Sequence, residues 1–123
     1  MCEETIETLI GSSGVLTSPN YPDNYEENQK KTWKITVPTG HGVELIFHDF
    51  NMRYGDYVNV RRDSITDCTP SDILYGVELP PNIWSHSRFM CVSFTSDSMM
   101  NEKGFNATFV AFPIPGLSFI ILR

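Results

Sequence analysis

The chain has 123 residues, a formal net charge of −6, and 41% hydrophobic and 12% aromatic residues. That is enough apolar material for one core, so one folded unit is expected, and the acidic balance gives no electrostatic footprint for DNA or RNA. No apolar run reaches the ~18 residues of a membrane-spanning helix, and Met1-Cys2-Glu3-Glu4 has neither the basic nor the apolar stretch of a signal peptide.

In chain order, residues 1–10 read as a lead-in and residues 11–112 as the domain. Gly11-Ser12-Ser13-Gly14 reads as a turn before a strand, and the stretch from Ser18 to Tyr25 is dense in Pro, Asn and Asp, which set turn dihedrals. Trp33, Ile35 and Val37 then alternate with Lys34 and Thr36, the period of a half-buried strand. The same pattern returns in Val43, Leu45 and Phe47, in Val58 and Val60, in Met90, Val92 and Phe94, and in Phe105, Ala107, Phe109 and Ala111. Pro38-Thr39-Gly40-His41-Gly42 and Leu79-Pro80-Pro81-Asn82 punctuate the series. No apolar helical period persists for three turns, so the expectation is an all-β, antiparallel two-sheet sandwich. Residues 113–123 form a tail whose apolar Phe119 to Leu122 are too few to span a membrane. It packs on the domain, belongs to a longer parent chain, or is an exposed sticky segment, and the sequence leaves the three open.

Cys2, Cys68 and Cys91 fit no metal-ligand spacing, nor do His41, His48 and His86. An odd count leaves at least one thiol unpaired. Asn106-Ala107-Thr108 is an N-glycosylation sequon, and the strand phase puts Asn106 on the face opposite the core. The chain has no nucleophile elbow, zinc-protease helix or phosphate-binding glycine loop. His48-Asp49 is the one adjacent His/acid pair, and neighbours on a strand face opposite ways, so no catalytic residues are assigned.

Three stretches together resemble the CUB domain: Gly14-Val15-Leu16-Thr17-Ser18-Pro19-Asn20-Tyr21-Pro22, then Trp33-Lys34-Ile35, then Phe94-Thr95-Ser96-Asp97 followed by Gly104-Phe105-Asn106-Ala107. Phe47-His48-Asp49-Phe50, Gly55-Asp56-Tyr57-Val58 and Tyr75-Gly76 sit at further landmarks, so the likeness runs from about Gly11 to Phe112. The resemblance implies a jelly-roll-like sandwich in an extracellular setting and a non-catalytic docking or adhesion module for an extracellular protein. The alternatives are an ancillary domain of a secreted multidomain serine protease and a carbohydrate-binding, sperm-coat-like protein.

The departures from the family are specific. CUB domains usually hold four cysteines in two disulfides. Here Lys31 precedes the tryptophan, a shortened loop around Arg53 and Tyr54 falls at the third cysteine position, and Tyr75 stands at the fourth. Only Cys2 lies near a family position. A substitute bridge between Cys68 and Cys91 is left open, because Cys91 is in antiphase to Met90, Val92 and Phe94. Many CUB domains also bind calcium through Tyr, Glu, two Asp and Ser. Tyr25, Asp56 and Asp97 match that set, whereas Arg53 replaces the Glu and Met99 the Ser. A guanidinium repels the ion, so no cofactor is expected, and Arg53 would hold Asp56 and Asp97 in its place. Arg53 pointing to solvent, or residual calcium on Tyr25, Asp56 and Asp97, are the other readings. Exposed aromatics at Tyr21, Tyr25, Tyr54, Tyr57 and Trp84 are the candidate anchors for a partner.

Overall fold

The alternating apolar residues become the inner faces of two sheets. The structure, a computed structural model, describes residues 3–97 and 102–115. These form nine strands: β1 (Glu3–Ile10), β2 (Ser13–Thr17), β3 (Gln29–Thr36), β4 (His41–Asn51), β5 (Tyr57–Arg62), β6 (Asp72–Leu74), β7 (Ile83–Ser85), β8 (Phe89–Thr95) and β9 (Gly104–Pro113). One sheet runs β1-β3-β8-β5-β6 and the other β2-β9-β4-β7. Cys2, Ser98 and Met99 lie outside the described residues, as do residues 116–123 of the tail.

Trp33, Ile35, Val37, Val43, Leu45, Val58, Val60, Met90, Val92, Phe94, Phe105 and Phe109 are all buried between the sheets. Each such side chain contributes about 1.5–3 kcal/mol relative to exposure. Trp33 meets Phe105 edge-on at 5.7 Å, and Phe105 also touches Phe47 and Phe94, so this aromatic group ties both sheets together.

Three expectations differ from the fold. Residues 3–10, read as a lead-in, form β1, which pairs in parallel with β3 from Glu3 to Ile10, while the other strand pairs are antiparallel. Its only contribution to the core is a partly buried Leu9, so Glu4, Ile6, Glu7 and Ile10 show no burial pattern that the sequence could advertise. Glu7 and Glu4 instead pair with Lys31 and Lys30 at 3.2 and 3.9 Å. Strand β9 also continues one residue past the expected boundary, to Pro113, which sits opposite His41. Finally, the register shifts between Phe47 and Asp49, so simple alternation fails at His48. His48 Nε2 lies 2.8 Å from the Thr108 hydroxyl, while Asp49 accepts from Tyr21 and pairs with Lys103. The two neighbours therefore serve separate partners.

Cys68 and Cys91 form a disulfide. Cys91 faces away from the core, on the outer side of the five-stranded sheet, yet it is buried beneath the loop that carries Cys68. That loop is further tied down by Arg61, which pairs with Asp67 at 3.2 Å and donates to the Thr69 carbonyl.

Candidate functional site

One end of the sandwich collects the residues singled out for a calcium-type cluster. Three segments meet there: residues 18–28 before β3, residues 52–56 between β4 and β5, and residues 96–97 after β8. Tyr25 packs edge-on against Phe94 at 4.8 Å and is 1% exposed. It was expected as an exposed anchor but is a core residue, because its ring closes the aromatic stack and only its hydroxyl reaches the polar groups.

That hydroxyl donates to Asp56 Oδ2 and accepts the Arg53 main-chain N–H at 2.9 Å. Asp56 is fully buried, and its other oxygen accepts the Asp97 N–H at 2.7 Å. The turn bringing Asp56 inward closes through Asp56 N–H to the Arg53 carbonyl at 3.0 Å. It needs Gly55 for two reasons: φ is +97°, and a Cβ there would lie 2.5 Å from Asp97 Oδ2. Ser96 closes the third side, its hydroxyl donating to the Glu26 carbonyl at 2.8 Å and accepting the Gln29 N–H at 2.9 Å. Gly104 is equally constrained at +93°, since a Cβ would fall 1.8 Å from Ser18 Oγ, which accepts the Phe105 N–H.

Electrostatics follow from burial. The Asp56 carboxyl is pushed above its ordinary range, first by loss of hydration and then by the neighbouring Asp97 charge, against the opposing bonds from Tyr25 and the Asp97 N–H. Burial and the bond to Asp56 likewise raise the Tyr25 phenol.

Tyr25, Asp56 and Asp97 are thus brought together. Arg53 joins them through its main chain, while its Nε is buried with no partner among the described residues. Asp56 takes its two bonds from Tyr25 and from the Asp97 main chain rather than from the guanidinium. A calcium ion needs six to eight oxygens. Here the Asp56 oxygens and the Tyr25 hydroxyl are engaged with one another and with the main chain, and a buried guanidinium nitrogen stands in the same turn. The donor set does not fit the ion.

A second feature adjoins this end. Tyr54, Tyr57, Tyr75 and Val77, with Met52 at the base, line a hollow of about 570 Å³, and Tyr75, Ile73, Leu79, Pro80 and Pro81 line a neighbouring one of about 300 Å³. Tyr54 is 93% exposed and Tyr75 66%, the Tyr75 ring meeting Tyr57 edge-on at 6.2 Å. Sequence reasoning found Tyr54 and Tyr57 but missed the rest of this flank. The signal was present: Ile73, Tyr75, Val77 and Leu79 recur at every second position, a strand-like period, although β6 stops at Leu74. Beyond it the same alternation turns the apolar residues outward. Trp84, also expected as an anchor, is partly exposed but lies on the four-stranded sheet, and Tyr21 is half-buried against Asp49.

Comparisons with known proteins agree with this architecture. SpAN of Strongylocentrotus purpuratus is 42% identical over 104 residues, 80% of this chain but 16% of SpAN. The full extracellular region of zebrafish Gpr126/Adgrg6 superimposes with a TM-score of 0.78 at 28% identity, covering 87% of this chain and 14% of that one. A MASP-1 CUB2 domain solved bound to Ca²⁺ shares the fold with a TM-score of 0.71 at 22% identity, over 85% of this chain and 96% of that one. The chain thus spans only a small part of the larger relatives. The CUB domain family's sequence pattern matches residues 2–109, nearly all of the sandwich, and the chain belongs to the CUB domain family.

Proposed function

We propose that this domain is a non-catalytic docking module of an extracellular multidomain protein, and that it engages a protein partner through the tyrosine-lined flank without calcium. The observation that carries this reading is the gathering of Tyr54, Tyr57, Ile73, Tyr75, Val77 and Leu79 around two adjoining hollows. Isolated exposed apolar residues are ordinary, but a contiguous group of them marks an interaction surface, and tyrosine is among the residues that dominate interface energetics. The apolar lining favours a protein over a sugar. Support for an extracellular setting comes from the disulfide and from the likeness to an extracellular region. Independence from calcium is supported by Arg53 and by the internally bonded Asp56. Any catalysis would belong to other domains of the parent chain.

The test is a capture experiment on extracellular proteins, using the immobilised domain and a Tyr54→Ala/Tyr75→Ala variant whose thermal unfolding matches the parent. Both side chains are exposed, so the variant should keep its fold and lose the retained proteins. An identical retained set from the two forms would discard the flank as the docking surface.

A further inference from the structure

The outer face of the four-stranded sheet carries chemistry that the docking reading does not use. In register across β2, β9 and β4, Thr17, Asn106 and Asp49 form one row, and Val15, Thr108 and Ile46 form the next. A third row runs Ser13, Val110, Glu44 and Trp84. Val15 is 63% exposed on the edge strand β2, Trp84 is partly exposed, and Ile46 and Val110 are half-covered. An apolar strip beside an open strand edge invites edge-to-edge association. Asn106 stands at the head of this strip, flanked in sequence by buried Phe105 and Ala107, so its amide points outward.

We infer that Asn106 carries an N-linked glycan that covers the Val15–Ile46 side of this sheet and leaves the tyrosine flank as the open surface. The inference rests on the extracellular reading above. Two atoms make the site chemically fit. The Asn106 side chain neighbours the Tyr21 hydroxyl, and a glycosylated asparagine keeps one N–H to face it. The Thr108 hydroxyl completes the sequon and in the folded chain is held by His48 at 2.8 Å, so transfer occurs on the extended chain before β9 pairs. In that transfer Asn106 Nδ2 bonds to the anomeric carbon of a lipid-pyrophosphate-linked oligosaccharide. The C1–O bond breaks, the lipid pyrophosphate leaves with the electron pair, and the amide proton passes to a base of the transferase.

The experiment expresses the chain behind a secretory leader in cells that N-glycosylate, with intact mass read before and after peptide-N-glycosidase. The secreted wild type should carry a glycan mass that the enzyme removes, converting Asn106 to Asp. Asn106→Gln and Thr108→Ala should lack the mass, and Thr108→Ser, which keeps both the sequon and a hydroxyl for His48, should retain it. Secreted wild type at the unmodified mass, or a glycan persisting in Asn106→Gln, would overturn the assignment. Hydroxyl-radical footprinting of the two wild-type forms tests coverage: removing the glycan should raise labelling at Val15 and Ile46 and leave Tyr54 and Tyr75 unchanged. Equal labelling at Val15 and Ile46 would refute the shielding. Neither readout involves the flank variants, so failure here is distinct from failure of the docking reading.

Discussion

Each end of the sandwich holds a fully buried polar hub, and the two hubs differ in kind. At the site end, Asp56 is an ionisable carboxyl that collects Tyr25 and Asp97. At the opposite end, Ser85 is a neutral hydroxyl, fully buried, that accepts the Asp63 N–H at 3.1 Å and has two acceptors for its proton, the Phe89 carbonyl at 2.8 Å and the Asp63 carboxylate at 3.0 Å. Asp63 holds a left-handed conformation there, with φ +76°. Both hubs pin loops to strand ends, but only in the first is the hub itself an ionisable group. A closure built on a carboxyl joins loop geometry directly to solution conditions, whereas in one built on serine the hub carries no titratable proton of its own.

The largest expected effect comes from Asp56→Ala, which strands the Tyr25 hydroxyl and the Asp97 N–H at about 2 kcal/mol each. Chemical denaturation should show a loss of about 4 kcal/mol, with fast amide exchange at Tyr25 and Asp97. A loss no larger than that of an exposed-residue variant would mean that water replaces the carboxyl. Next is the Cys68–Cys91 disulfide, which closes a segment of 23 residues near the Ser85 end. Paired Cys68→Ser and Cys91→Ser changes should lower stability by about 3 kcal/mol and free amides in residues 63–71 first. Ser85→Ala should cost about 2 kcal/mol, again read by denaturation.

Acid titration separates two carboxyls within the site end. The bonds from Lys103 and then Tyr21 hold the Asp49 carboxyl below its ordinary value, so its contribution is complete above the unfolded pKa and disappears as pH falls through the folded one. Asp56 has the opposite sign. Its folded pKa is raised, so stability falls as pH rises from the unfolded value through the folded one. Asp49→Asn should therefore reduce the loss of stability on acidification, and Asp56→Asn should remove the opposing gain. The smallest effect is expected from calcium: unfolding temperatures with added calcium and with excess chelator should coincide. A clear drop on chelation would restore Tyr25, Asp56 and Asp97 as ligands.

How much of this the sequence disclosed depended on whether a residue's role is local. Trp33 to Val37 and Phe105 to Phe109 announce their inward faces because burial follows the two-residue period of a strand. β1 did not, since it is held by its main-chain ladder to β3, with exposed Glu4 and Glu7 beside Lys30 and Lys31, rather than by an apolar pattern of its own. At the site, resemblance brought Tyr25, Asp56 and Asp97 into one cluster. It could not show that Asp56 is satisfied by a main-chain N–H, because main-chain donors leave no trace in residue identity. Cys91 is similar: its antiphase position was readable, but the covering loop that buries it depends on a contact 23 residues away.

The parallel pairing of β1 with β3 also sets how the module bears mechanical load. β1 begins beside Gln29, at the Asp56 end, whereas β9 finishes beside His41 at the other. Traction applied to residues 3 and 113 therefore runs along the strands and loads the β1–β3 ladder in shear. Its eight registered pairs, Glu3–Gln29 through Ile10–Thr36, must slip together rather than peel one by one. Forced extension is governed by the unfolding rate, so this alignment makes the domain a stiff link when tension passes through it lengthwise.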